Sequence, residues 1–351
     1  MGSFDLEALL TPVDQDHPCG RSMVYEAAYT EIEGLAKGMP EQQIGETIKP
    51  AENPDWPAVL DRCTELLGQT KDLRLGTLLC VAKLVTEGWE GVAEGLALLR
   101  RTLEQYWDQV HPQLDPDDGN DPTERLNTLE SLYTPLGAYR DRIEFIRKLY
   151  ECPLTDSRQL GRFSLRDIGI AASDERFHAD VSAGEEVPEM ATIDGAFEDT
   201  PPERLTAMEQ AVVTAMGEAE QINGILTSKV GPERAPDGKP LLGALGEILT
   251  VLRAQMARRG IGVSTAEAAS ATGAAGAASP NSGEIRSRED VRLALDRLCR
   301  YYANHEPSSP VPLLLGGAKR LVSASYVEIA EYLSPEALKH LSHLFSGGDG
   351  G

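Results

Sequence analysis

Trp89, Val92, Leu96, Leu99, Leu103 and Tyr106 step 3, 4, 3, 4 and 3 along the chain. That spacing keeps all of them on one face of a helix of 3.6 residues per turn, whereas strand side chains alternate with period two. A seam this regular must be covered, so the rest of the chain has to supply matching apolar faces. It does so repeatedly. Val59, Leu60, Cys63, Leu66 and Leu67 form one face, opened by Asn53 as cap with Pro54 at the first helical position. Lys71-Asp72-Leu73-Arg74 opens the next helix, with Leu75, Leu78, Leu79 and Ala82 inside. Asp121-Pro122 is expected to start a long helix with Leu126, Leu129, Leu132, Leu136, Ile143 and Ile146 facing inward and a kink at Pro135. Glu124, three residues past the cap, predicts a capping box there. Few runs alternate and no convincing strand is found, so the expected fold class is all-α.

Punctuation divides the chain. A helix over Tyr25 to Lys37 is stopped by Gly38-Met39-Pro40, and a polar loop follows to Asn53. The pattern weakens from Glu151 to Pro202, where Ser173–Thr200 reads as loop or linker. Pro201-Pro202-Glu203 starts a helix to about Lys229, and Leu241 to Arg259 forms another, together a helical hairpin. Residues 260–284 are rich in Ala, Gly and Ser and carry no large apolar side chain after Val263, the composition of a flexible tether. The expected organisation is an N-terminal helical domain (1–150), a middle helical region (151–259), a linker (260–284) and a small helical C-terminal module (285–346).

That last module turns on Asn304-His305-Glu306-Pro307-Ser308-Ser309-Pro310-Val311-Pro312-Leu313-Leu314-Leu315. Its prolines fix φ and bias each preceding residue away from the helical region, so no regular helix crosses it. Ser309 before Pro310 reads as a cap with proline at the first helical position, launching a helix through Leu313, Leu314, Ala318, Leu321 and Val322. A module of roughly 60 residues buries little surface by itself, so identical copies are expected to cover its apolar faces.

Charge narrows the classes of partner. The net charge is −23, of which residues 1–150 carry −13, from 14 basic and 27 acidic residues. A field of that sign repels phosphate backbones and anionic headgroups, so neither nucleic acid nor a membrane surface is an expected partner. No apolar run approaches the roughly 18–20 residues of a membrane span, and the first residues lack the basic flank and apolar core of a signal peptide. Cys19, Cys63, Cys80, Cys152 and Cys299 are scattered and never form a C-x-x-C pair, which reads as reduced, buried thiols of a cytoplasmic protein.

Motifs that carry chemistry are missing. No phosphate loop, G-x-G-x-x-G turn, G-x-S-x-G elbow or H-E-x-x-H pair occurs, and Gly316-Gly317-Ala318-Lys319 lacks the spacing and hydroxyl of a Walker loop. His17-Pro18-Cys19-Gly20 offers at most two of the four ligands of a structural zinc, and His340 and His343 have no carboxylate or thiol at ligand spacing. In Asp115-Pro116-Asp117-Asp118-Gly119-Asn120-Asp121 the EF-hand register fails at the glycine and at the bidentate carboxylate, leaving a solvated loop whose Asp121 caps the next helix. No catalytic residue, metal or cofactor is expected.

Two ordered sets of residues carry a family resemblance. The first is Leu9-Leu10-Thr11-Pro12-Val13 with Pro18-Cys19-Gly20, then Asn53-Pro54-Asp55-Trp56, Thr70-Lys71-Asp72-Leu73-Arg74, Tyr106-Trp107 with His111-Pro112, and Arg125-Leu126-Asn127. The second runs from Asn304 to Leu315 and on through Ala318-Lys319-Arg320-Leu321-Val322. Together they resemble the TssA (ImpA-related) proteins of bacterial type VI secretion systems, in the shorter form. The resemblance implies a non-enzymatic assembly protein of the cytoplasm, recruited to the inner-membrane-associated apparatus. It implies partners among the baseplate, inner tube, sheath and membrane-complex proteins, and a homo-oligomeric ring made by the C-terminal module. The residues expected at the oligomer or partner surface are Asn304, His305, Glu306, Pro307, Ser308, Ser309, Pro310, Pro312 and Leu314. Those marking the N-terminal family motif are Pro12, Pro18, Cys19, Gly20, Asp55, Trp56, Lys71, Asp72, Leu73, Arg74, Trp107, Pro112 and Arg125. The rival readings are a soluble helical enzyme with a convergent acidic pocket, and a monomeric adaptor.

Overall fold

A computed structural model describes residues 5–38, 42–44, 47–51, 53–139, 141, 143–180 and 187–261, together with Leu295 and Leu315. The chain divides into two units, Met1–Ser270 and Ala271–Gly351, and the fold described here is that of the first. The corner from Asn304 to Leu315 (save Leu315 itself), Cys299, His340, His343 and the span 262–284 lie outside the described residues.

Helices dominate. In chain order they are α1 (Leu6–Leu10), α2 (Ala27–Lys37), α3 (Trp56–Leu67), α4 (Leu73–Glu87), α5 (Trp89–Tyr106), α6 (Thr123–Glu130), α7 (Phe145–Glu151), α8 (Leu165–Ala171), α9 (Met190–Asp199), α10 (Pro202–Val230) and α11 (Lys239–Arg258), with a 3-10 turn at Glu175–Asp180. The centre is α4. Leu75, Leu79 and Ala82 face one apolar cluster with α1, α2 and α3, while Leu73, Cys80, Val81 and Leu84 face a second with α5 and the helices that follow. A helix apolar on all sides is one that neighbours cover on all sides. Leu78, expected inside, is only half-buried.

The seam of three-and-four steps is buried from Trp89 to Leu103, and Tyr106 at its end is half-buried. Trp89, Val92, Leu96, Leu99 and Leu103 of α5 enter the second cluster, which α10 joins through Leu205, Met208, Val212, Ala215, Ala219, Ile222 and Leu226. The alanines of α10 let the two backbones approach, and Gly95 does the same between α5 and α4. A Cβ on Gly95 would stand 2.8 Å from the Cα of Cys80. Helix α11 closes the layer with Leu241, Leu245, Ile248 and Leu252. The core therefore runs without a break across residue 150, and the expected N-terminal domain and middle region share one interior.

Several local expectations are corrected. The cap of α3 is Asp55, whose Oδ1 accepts from the Ala58 amide at 3.1 Å, and not Asn53. The long helix expected from Asp121 is two short ones, α6 and α7, because Pro135 has no amide to donate and Gly137 takes a left-handed φ of 78°. Helix α6 stops at Glu130, five residues before Pro135, so Pro135 stands outside a helix instead of kinking one. Glu124 forms no capping box; its carboxylate reaches Arg74 at 3.4 Å. The stretch read as weak from Ser173 to Thr200 contains the 3-10 turn and α9, with Phe177, Ile193 and Phe197 buried. Just before it, Ser164 and Asp167 make the capping box that starts α8. The polar loop before Asn53 holds a short antiparallel hairpin, β1 (Gln42–Ile44) with β2 (Thr47–Lys49), although no strand was expected.

Candidate functional site

The N-terminal motif residues are far apart in sequence and largely together in space. The amide of Lys71 donates to the Cys19 carbonyl at 2.8 Å, and the Thr70 hydroxyl to the same oxygen at 3.3 Å. The His111 amide donates to the Lys71 carbonyl at 2.9 Å and the Leu73 amide to the His111 carbonyl at 2.8 Å, a two-bond parallel bridge. The ring of His111 lies 3.1 Å from the Gly20 carbonyl. Gly20 has φ of 65°, and a Cβ there would stand 2.4 Å from the Gln69 carbonyl oxygen, so this turn requires glycine.

Arg125 locks the arrangement. It is fully buried, and its guanidinium donates to three carbonyls: Pro112 at 2.5 Å, Val110 at 2.7 Å, and Trp107. These oxygens lie at and just beyond the C-terminus of α5, where unpaired carbonyls and the helix dipole both favour a cation. Burial lowers its pKa to about 10, and the charge persists at neutral pH. Asp72 caps α4 by accepting from the Arg74 amide at 2.9 Å, and the Arg74 side chain returns to that carboxylate through Nε at 2.9 Å and a terminal nitrogen at 2.6 Å. Arg74 also lies over the ring of Tyr29, 5.6 Å from its centroid.

The remaining motif residues pack and hydrogen-bond within the same unit. Lys71 is buried and donates to the Leu67 carbonyl at 3.1 Å, Leu73 is core, and Pro18 accepts from the Val13 amide at 2.9 Å beside exposed Pro12. Trp56 is half-buried with the Lys148 ammonium 5.4 Å from its centroid. Burial pushes the Cys19 thiol up to about 11 and those of Cys63 and Cys152 up to about 12, the opposite of what a nucleophile needs. No cluster of three or more metal-ligating side chains occurs among the described residues, and among them no helix is long and apolar enough to cross a membrane.

Beside this scaffold opens a groove of about 770 Å³. It lies between α2, α4, the end of α6, the non-helical stretch after it, and the start of α11. Tyr29, Trp56, Pro135, Tyr139 and Pro236 give it apolar surface, and Glu33, Glu130, Asp141 and Asp237 give it carboxylates. Arg74 and Thr77, on the scaffold helix α4, line the groove as well. The Asp141 carboxylate accepts from the amides of Ile143 and Glu144 at 3.1 and 2.9 Å. Sequence reasoning missed this feature because a continuous helix through Leu132, Leu136 and Ile143 leaves no space for it. The signals were Pro135 and Gly137, two helix-breaking residues two positions apart.

Comparison with known proteins adds to this geometry. Residues 10–134 match the family described as ImpA, N-terminal, type VI secretion system. Over 353 aligned positions, covering 97% of this chain and 98% of the relative, the sequence is 39% identical to the type VI secretion system component TssA1 of Pseudomonas aeruginosa. The chain belongs to the TssA family of type VI secretion system components. A solved structure of the N-terminal domain of TssA from Burkholderia cenocepacia, including its conserved ImpA_N region, shares the fold. Its TM-score is 0.57 at 24% identity, covering 73% of this chain and 95% of that one. Cys19, Gly20, Lys71 to Arg74, Trp107, Pro112 and Arg125 all lie within the matched region.

Proposed function

We propose that this chain is a non-enzymatic assembly component which recruits baseplate subunits at the membrane complex and primes polymerisation of the inner tube and sheath. The observation that carries this reading is the 39% identity spread over nearly the whole of both chains, not confined to one domain. The motif residues supply packing and caps, and the cysteine thiols are held protonated by burial, which supports scaffolding over chemistry. In this reading residues 285–346 form a homo-oligomeric ring through the corner at Asn304, His305, Glu306, Pro307, Ser308, Ser309, Pro310 and Pro312, with Leu314 on its packing face. A stiff, proline-rich loop loses little freedom on association, which favours its use at an interface. The ring raises the effective concentration of several N-terminal units around one site of assembly. The protein then works in the cytoplasm, at the inner-membrane-associated apparatus.

The test is deletion of the gene in its own bacterium, with secretion of the tube protein and sheath assembly as readouts, and the solution mass of the full-length protein measured in parallel. Loss of both readouts together with a mass of several subunits supports the reading. Intact secretion removes the assembly role, and a single-subunit mass replaces the ring by a monomeric adaptor.

A further inference from the structure

We propose that the groove beside α4 is the docking site for a short cationic segment of a partner protein, bearing arginine or lysine next to an apolar anchor. This rests on the assembly reading above and specifies one surface through which assembly proceeds.

The groove's volume of about 770 Å³ falls within the roughly 300–1,000 Å³ of sites that enclose a compact ligand. Its wall carries Tyr139, which is 88% exposed, and half-buried Trp56. Aromatic side chains left at the edge of a concave surface are the residue types enriched where partners bind.

Charge selects the occupant. Glu33, Glu130, Asp141 and Asp237 line the groove against two cations, Lys37 and Arg74. The Arg74 guanidinium is already engaged by both oxygens of Asp72 and by Glu124, so it offers little to an incoming anion. Glu33 and Glu130 are exposed and form no ion pair among the described residues. Hydrogen-bonding capacity points the same way. The hydroxyls of Thr128, Ser131 and Thr134 each donate to a backbone carbonyl, of Glu124 at 2.9 Å, Thr128 at 2.7 Å and Glu130 at 3.1 Å. What they have left to offer is lone pairs. Asn127 and the hydroxyls of Tyr29 and Tyr133 can donate, but the four carboxylates and the hydroxyls of Thr128, Ser131 and Thr134 bias the groove towards accepting hydrogen bonds, and its complement is a donor-rich segment: a guanidinium or ammonium group, and the amides of an extended peptide.

The experiment pans a random-peptide display library on the full-length protein. The enriched peptides are then titrated by fluorescence anisotropy against wild type, Tyr139→Ala, the double charge reversal Glu33→Lys/Glu130→Lys, and the neutral pair Glu33→Gln/Glu130→Gln. The expected peptides carry arginine or lysine beside an apolar residue, and bind more weakly as salt rises. Their affinity falls by about tenfold or more on charge reversal, less in the neutral pair, and also in Tyr139→Ala. Circular dichroism checks that each variant keeps its helices; if the reversal does not fold, the neutral pair carries the comparison. Enrichment of neutral or acidic peptides, no enrichment, or affinity unchanged in folded variants overturns the proposal. The same variants returned to the bacterium separate the two readings: if deletion of the gene abolishes secretion but the groove variants restore it fully, the groove assignment falls and the assembly reading stands.

Discussion

The guanidinium of Arg125 lies over the indole of Trp107, 5.2 Å from its centroid, and donates a hydrogen bond to the carbonyl of that same residue. Ring and carbonyl thus hold one cation from two sides at the end of α5. Among the described residues no carboxylate forms an ion pair with this fully buried charge, and three carbonyls accept its hydrogen bonds.

Substitution of Arg125 is therefore expected to be among the most damaging single changes in the N-terminal part. Arg125→Ala leaves three buried carbonyls without donors and opens a cavity, at a cost of about 3–5 kcal/mol in urea unfolding. Arg125→Lys recovers little, because one ammonium cannot span the fork that reaches Trp107, Val110 and Pro112. A lysine variant of wild-type stability would show that the geometry of the fork is irrelevant.

Gly20→Ala places a methyl group where only 2.4 Å separates it from the Gln69 carbonyl oxygen, in a backbone conformation of φ 65°. Strain and overlap together are expected to cost about 2–4 kcal/mol. Chemical denaturation reads this as a lowered midpoint at unchanged slope.

Asp121 joins the loop before α6 to the segment before α11. Hydrogen bonds from Thr123, then from Arg234, hold its carboxyl at about 2, below the ordinary 3.8. Because the folded value is the lower one, the native state binds this proton less readily than the unfolded chain does. Its contribution is full above about pH 4 and is lost as the pH falls through about 2. The stability gap between wild type and Asp121→Asn should be open at pH 7 and close across that window; a gap independent of pH removes the carboxylate from the account.

Limited proteolysis of the full chain is expected to cut first within 260–284, releasing an N-terminal piece that keeps its helical circular dichroism. First cleavage inside 54–150 would contradict the organisation proposed here. For the C-terminal module, Pro307→Gly with Pro310→Gly is expected to lower the solution mass while helicity is retained.

The amino-acid sequence alone determined the helices whose apolar faces repeat over many turns. Trp89 to Tyr106 was legible because five consecutive steps of three or four fit one face only, and Pro202 to Val230 because proline marks its start. The motif residues were legible as a set, and with them the family. Their roles were not, since Arg125 is recognised by carbonyls of Trp107, Val110 and Pro112, backbone groups that every residue carries and no sequence advertises. Periodicity likewise reports that a face is apolar without saying what covers it. Only tertiary structure decided that α4 is covered on both sides, since the pattern of Leu75, Leu78, Leu79 and Ala82 was satisfied by one side alone. The break between α6 and α7 was decided the same way. Leu132 is buried while Leu136 and Ile143 are half-buried, so the apolar spacing survives in a stretch that is not helical, and the groove lies in the space a helix would have filled. Local apolar spacing is an average over neighbours in sequence, whereas a concave surface is made by residues such as Tyr29, Tyr139 and Asp237 that meet only when the chain is folded.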